Sequence, residues 1–325
     1  MLRTILLASI LALSAAQAAD QPKELVFGII STEASSNLKS IWEPFLKDME
    51  KGLGVPVKPF FASDYAGVIE GMRFGKVDIA WYGNKSAIEA VDRAGAEVFV
   101  QTVDAEGNPG YWSLIITHKD SAIKDLDDLL ANGGQYSFGN GDPNSTSGFL
   151  VPSAFVFSPK GIDPKSHFKR MTSGNHEANA LAVATKQVDA STFNTESMRR
   201  LEKTNPDKAS QLRVLWKSPL IPSDPICWRK NLPEDQKTKI KSWFLGYGKT
   251  DAEKGVLKAL QWAPFKDSGD YQLLPIRKLE LAKKKNKVMA DEKLAQADKQ
   301  AQAAEIDAQI KIIEADIAKR EAAVR

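Results

Sequence analysis

The sequence has a single cysteine, Cys227, and three histidines, His118, His167 and His176. One cysteine excludes an internal disulfide and any cysteine-cluster zinc site, and the histidines stand at no metal-ligand spacing, so no metal or cofactor is expected. A Gly-x-Ser-x-Gly nucleophile elbow is absent, as is a Walker phosphate loop. Three Ser-x-x-Lys strings begin at Ser36, Ser121 and Ser166, but the Ser-Asp-Asn and Lys-Thr-Gly elements that would accompany such a nucleophile are missing. An excess of one charge is lacking too: 44 Lys and Arg against 41 Asp and Glu leave +3. Much of that excess lies between Lys283 and Lys287, a solvated basic stretch rather than a nucleic-acid footprint. No apolar run reaches the length of a membrane-spanning helix.

What is present suffices for a sizeable core, since 43% of the 325 residues are hydrophobic, and this length fits two lobes better than one. Arg3, the apolar stretch Ile5 to Leu13 and the small residues ending Ala16-Gln17-Ala18 match a secretory signal over residues 1–18, which predicts an exported, soluble mature chain. From Glu24 to Ala94 strand-like apolar runs alternate with amphipathic ones, the pattern of α/β winding with parallel strands. The expected layout is a first lobe over 19–110, a second over 111–218 and a return to the first over 219–289. Crossings at Asp104 to Gly110 and Pro219 to Pro225 would form a hinge. Residues 290–325 carry Ile306, Ile310, Ile313 and Ile317 at helical spacing and read as one amphipathic helix. Whether that tail docks on its own body or pairs with a second copy as a homodimer is open from sequence.

The stretch around which the chain is organised is Gly139-Asn140-Gly141-Asp142-Pro143-Asn144-Ser145-Thr146-Ser147-Gly148, between the strand-like Tyr136-Ser137-Phe138 and an apolar, helical run from Phe149 to Phe157. Unpaired N–H groups at a helix start, with three adjacent hydroxyls, read as a cradle for an oxyanion. The same residues also serve as an ordinary loop with Ser145 as helix cap. Similar polar turns end other strands, at Ser31-Thr32-Glu33, Ser63-Asp64-Tyr65, Gly83-Asn84, Ser173-Gly174-Asn175-His176 and Phe193-Asn194-Thr195-Glu196. In α/β sheets such turns gather where ligands bind. Ser145 with His176 offers a nucleophile and a base, but both serve equally well as donors to an anion, and binding needs fewer assumptions.

Asp64-Tyr65-Ala66-Gly67, Gly71-Met72-Arg73-Phe74, Asp78 to Asn84, Gly141 to Phe149 and Pro219 to Pro225 together resemble the phosphonate-binding proteins of bacterial ABC importers. The resemblance implies a two-lobed periplasmic binding protein of type II, each lobe a mostly parallel sheet flanked by helices. Such a protein closes on a small ligand, presents it to a membrane permease and is not an enzyme. It carries phosphonate donors onto Ser145, Thr146, Ser147 and His176 of the second lobe. Tyr65 of the first lobe and Tyr111 at the hinge would close on the ligand, and Glu196 and Asp224 would receive the amino group of 2-aminoethylphosphonate. None of the eight is an arginine. A protein for phosphite or a simple alkylphosphonate is the nearest alternative, and an exported phosphorus-ester hydrolase the more distant one.

Overall fold

The computed structural model describes residues 24–324, so the expected export signal lies outside the described residues. The chain opens with wound units: β1 (Leu25–Ile29), α1 (Ser35–Leu53), β2 (Val57–Phe61), α2 (Tyr65–Arg73), β3 (Ile79–Trp81), α3 (Asn84–Arg93) and β4 (Ala96–Asp104). A short β5 (Gly110–Tyr111) leads into β6 (Ser113–His118), α4 (Leu126–Ala131), β7 (Ser137–Asn140), α5 (Pro164–His167) and β8 (Arg170–Ser173). Next come α6 (His176–Ala184), β9 (Ala190–Asn194), α7 (Thr195–Thr204), α8 (Pro206–Ala209) and β10 (Leu212–Lys217). The last elements are β11 (Ile221–Pro222), β12 (Pro225–Arg229), α9 (Glu234–Gly246), α10 (Asp251–Ala259), β13 (Trp262–Asp267), α11 (Leu274–Ala290) and α12 (Gln296–Val324).

Two sheets result, with strand orders β13-β4-β12-β3-β1-β2 and β10-β6-β9-β7-β8. The chain passes from the first to the second between β4 and β6 and returns between β10 and β12. The two passages are tied by the β5–β11 ribbon, in which Tyr111 faces Ile221. The expectation of mostly parallel sheets needs correction, because both are mixed. β1 is parallel to β2 and β3, but β12 runs antiparallel to β3 and β4, and β13 antiparallel to β4. In the second sheet β7 is parallel to β8 and β9, while β6 is antiparallel to β9 and β10. The physical reason lies in the return passage. β1 and β3 run toward the cleft, whereas β12 starts there, directly after Asp224, and has to run away from it.

Burial explains the winding. Each strand of the β1–β3 core presents apolar residues to helices, and Gly28 in β1 admits α2 closely: a Cβ there would stand 2.7 Å from Val68 Cγ1 and 2.9 Å from Val77 Cγ1. Trp42 of α1 sits at the middle of the first core, with ring centroids 5.3 Å from Phe27, 5.5 Å from Trp81 and 5.3 Å from Trp262. The second core is built on Phe138, stacked on Phe168 at 4.5 Å with Phe157 edge-on at 5.6 Å. Cys227 is fully buried in β12, and burial pushes its thiol well up from the usual range.

The helix expected over 290–325 is present as α12, and a further helix precedes it. α11 already begins at Leu274, the chain breaks after Ala290, and α12 folds back along α11 with Lys285–Asp307 at 2.6 Å, Lys278–Glu314 at 3.1 Å and Ile306 buried. α11 in turn docks on the body through Lys85–Glu280 at 2.7 Å, Arg277–Asp92 at 2.6 Å and Lys283 over the Phe149 ring at 4.1 Å. No described helix is long and apolar enough to cross a membrane.

Candidate functional site: a cleft between the two sheets

The loop after β7 is closed by its own backbone. Gly141 N–H donates to the Gly148 carbonyl at 3.0 Å, so close that a Cβ on Gly141 would stand 2.5 Å from the Gly148 carbonyl carbon. Only glycine fits there. The helix expected from Phe149 starts earlier, at Thr146, and its first turns are the wider π form over Thr146–Leu150 and Ser153–Phe157. Such turns are rare and recur at functional sites. Starting at Thr146 places Ser145 as N-cap, and its Oγ accepts from Gly148 N–H at 3.0 Å.

The three hydroxyls share one feature. Ser145 Oγ accepts from Gly148 N–H, Thr146 Oγ1 accepts from Lys85 N–H at 2.9 Å, and Ser147 Oγ accepts from Asn194 Nδ2 at 3.1 Å. Each oxygen is therefore occupied as an acceptor by the protein, which leaves its proton to be given away. His176, the first residue of α6, stands with Nε2 3.4 Å from both Ser145 Oγ and Ser147 Oγ. Burial, helped by the Arg200 charge, lowers the imidazole to about 3, so it is neutral and carries one N–H. Tyr65, at the start of α2, is buried, and burial followed by the nearby Asp142 carboxylate pushes its phenol up, keeping the O–H protonated.

The acidic end lies opposite. Tyr111 O–H donates to Asp224 Oδ1 at 3.0 Å, and Asn84 Nδ2 donates to the same oxygen at 3.4 Å. Burial, then the charge of Glu196, raises the Asp224 carboxyl well above the usual range, and burial raises Glu196 against the pull of Arg200. All eight residues singled out in the sequence line one narrow cleft, together with Ile30, Thr32, Trp81, Gly83, Asn194 and Arg200.

A family of proteins described as "ABC transporter, phosphonate, periplasmic substrate-binding protein" matches residues 27–273. The chain belongs to that family. It is 59% identical over 298 residues to the phosphonates-binding periplasmic protein of Escherichia coli, covering 92% of this chain and 88% of that one. Among solved structures, a binding protein component of an ABC phosphonate transporter from Pseudomonas aeruginosa superimposes with a TM-score of 0.90 at 58% identity, over 93% of this chain and all of the other. PhnD1 of Prochlorococcus marinus, solved in complex with methylphosphonate, gives a TM-score of 0.71 at 25% identity, over 80% and 97% of the two chains. These relatives are transport proteins that bind a substrate, not enzymes. The two-lobed fold of this family is the one observed.

Six residues of the cleft wall were not among the eight: Ile30, Thr32, Trp81, Gly83, Asn194 and Arg200. Arg200 departs from the arginine-free cradle: it lies one helical turn beyond Glu196, pairs with Glu33 of the first lobe and faces the cleft. Its signal was the Glu196 to Arg200 spacing on one helix face. Asn194 caps α7 with Oδ1 at 2.7 Å from Ser197 N while its amide orients Ser147. Thr32 and Trp81 stand in or beside turns that the sequence marked, with nothing in the pattern to single them out. In a second groove Arg199 pairs with Asp104 and with Glu106 at 3.0 Å and donates to Gln261 at 3.1 Å, and Lys203, Lys254 and Lys258 line the same groove.

Proposed function

We propose that this protein captures phosphonates in the periplasm, with 2-aminoethylphosphonate as preferred ligand, and delivers them to the permease of an ABC importer. In this reading residues 1–18 direct export, and Ser145, Thr146, Ser147, His176 and Tyr65 donate to the phosphonate oxygens. Tyr111 holds Asp224 in place, and Asp224 with Glu196 receives the ammonium. The observation that carries the reading is that each of the three hydroxyls already accepts from an N–H of the protein, so that its own proton is what it has to offer. An anion is the partner such a set requires.

The energetics agree. Hydrogen bonds to a charged group contribute about 1.5–3 kcal/mol each, so five of them exceed much of an association cost of about 4–15 kcal/mol. In this reading the acidic pair adds selection, because two carboxyls facing the organic arm welcome an ammonium and disfavour the fourth oxygen of inorganic phosphate. The methylphosphonate complex of the Prochlorococcus marinus relative supports the anion half of the reading. The acidic pair favours the amino compound over phosphite or an alkylphosphonate. Against a hydrolase stands Ser145, whose oxygen is tied down as a helix cap. Pairing of two copies through the tail forms no part of the reading, because α12 already lies along α11.

Calorimetric titration of the protein with 2-aminoethylphosphonate, methylphosphonate and inorganic phosphate tests it. The expected order is amino compound first and phosphate last, with no phosphate released from any phosphonate. Equal binding of all three would remove the ligand assignment, and turnover would restore the hydrolase.

A further inference from the structure

Among the described residues, five buried side-chain polar atoms lack a hydrogen-bond partner: Thr32 Oγ1, Trp81 Nε1, His176 Nδ1, Thr192 Oγ1 and Gln236 Oε1. The first three belong to residues that line the cleft. An unpaired buried polar group costs about 1–3 kcal/mol, so three of them on one cleft wall are placed to meet a polar partner. His176 belongs to the anion cradle already described. Trp81 stands at the acidic end, beside Asp224.

Thr32 is the one without a role. It follows β1 in the first lobe, only 5% exposed, and its backbone is fixed at both ends: its N–H donates to Ile30 O at 2.9 Å, and its carbonyl accepts from Glu177 N–H at 3.3 Å. That second bond crosses the cleft to the residue next to His176. The Thr32 carbonyl is thereby tied to the start of α6 beside His176, and the residue lines the same cleft as the Ser145–Ser147 cradle. Valine would fill the same volume without an unpaired hydroxyl, so packing does not account for threonine.

We propose that Thr32 is a further ligand contact, its hydroxyl donating to a phosphonate oxygen held in the Ser145–Ser147 cradle. The inference rests on the phosphonate reading above. It supplies from the first lobe a contact to the anion that exists only when the lobes are together, and so links capture of the phosphonate group itself to closure. The contact is indifferent to the organic arm.

Thr32→Val and Thr32→Ser, titrated calorimetrically beside the wild type with 2-aminoethylphosphonate and methylphosphonate, test this. Thr32→Val is expected to weaken both ligands equally, by roughly tenfold, the loss of one hydrogen bond to a charged group. Its ligand-free melting temperature should match or exceed that of the wild type, because an unpaired hydroxyl has been removed. Thr32→Ser should stay close to wild-type affinity. Unchanged affinity in Thr32→Val, a loss confined to the amino compound, or a fall in ligand-free stability that accounts for the loss would each overturn the contact while leaving the phosphonate reading intact. A wild type that binds neither phosphonate would overturn both.

Discussion

Glu177 of the second lobe caps a helix of the first: its Oε2 accepts from Ala34 N–H at 2.8 Å, and its Oε1 accepts from Asn37 Nδ2 at 2.8 Å. α1 has no side-chain cap of its own and no acid in its first turn. The same arrangement recurs at α3, whose cap residue Gly83 has no side chain to offer and whose Lys85 N–H is met by Thr146. At α2, Tyr65 N–H is met by Asp142 Oδ2 at 3.2 Å. Three helices of one lobe thus find partners for their unpaired N–H groups in the other lobe. Those bonds span the cleft, so separating the two lobes would break them.

Removing one such latch is expected to shift the equilibrium toward the open form without unfolding either lobe. Glu177→Ala should weaken every phosphonate by the same factor, about 5–10-fold, the value of one helix cap. Titration checks the affinity, and small-angle scattering of the ligand-free protein should show a larger radius of gyration than in the wild type. Unchanged values in both would mean that the contact does not hold the lobes together.

His176 gives a pH dependence of known sign. Its imidazole is lowered from 6.5 to about 3 by burial, so the unfolded chain binds more protons than the folded one throughout that window. Its contribution to stability is complete above the unfolded value and is lost progressively as pH falls through the window. Nitrogen-detected NMR of the folded protein should show His176 uncharged and not titrating between about pH 5 and 8, the range where an ordinary histidine changes. A midpoint near the ordinary value would contradict the neutral donor assigned to it.

Asp224 and Glu196 shift in the opposite direction, since burial favours the protonated form of both and the charge of Glu196 adds to it at Asp224. An ammonium placed between them favours ionisation, so binding of 2-aminoethylphosphonate should release protons in mildly acidic solution. Methylphosphonate, which brings no cation, should release fewer. Calorimetry in two buffers of different ionisation enthalpy measures the difference, and equal proton release by both ligands would count against an ammonium at this end.

How much of this the sequence carried depends on the range of each interaction. Local signals sufficed for β1 to β4 and β6, for the turns that hold the caps Asp64, Asn175 and Asn194, and for the Gly139–Gly148 loop, but not for β8, β9 or β13, where Pro264 read as a turn. The eight residues transferred by resemblance do line one cleft. Three features were out of reach for physical reasons. The direction of β12 depends on where the chain returns from the other lobe, which no local pattern records. The π form of the helix start at Thr146 leaves no mark in the sequence, although Ser145 as its cap does. The Glu177 latch joins residues 143 positions apart, and an uncapped α1 looks, in sequence, like a merely weak helix start.

The central claim is that one end of the cleft holds the phosphonate and the other the ammonium, and Asp224→Asn tests it most directly. Titrated with 2-aminoethylphosphonate and methylphosphonate, the variant is expected to lose about tenfold or more in affinity for the amino compound, the scale of a charge-assisted bond, while its affinity for methylphosphonate holds or improves. Equal losses for both ligands, or none for either, would contradict the account.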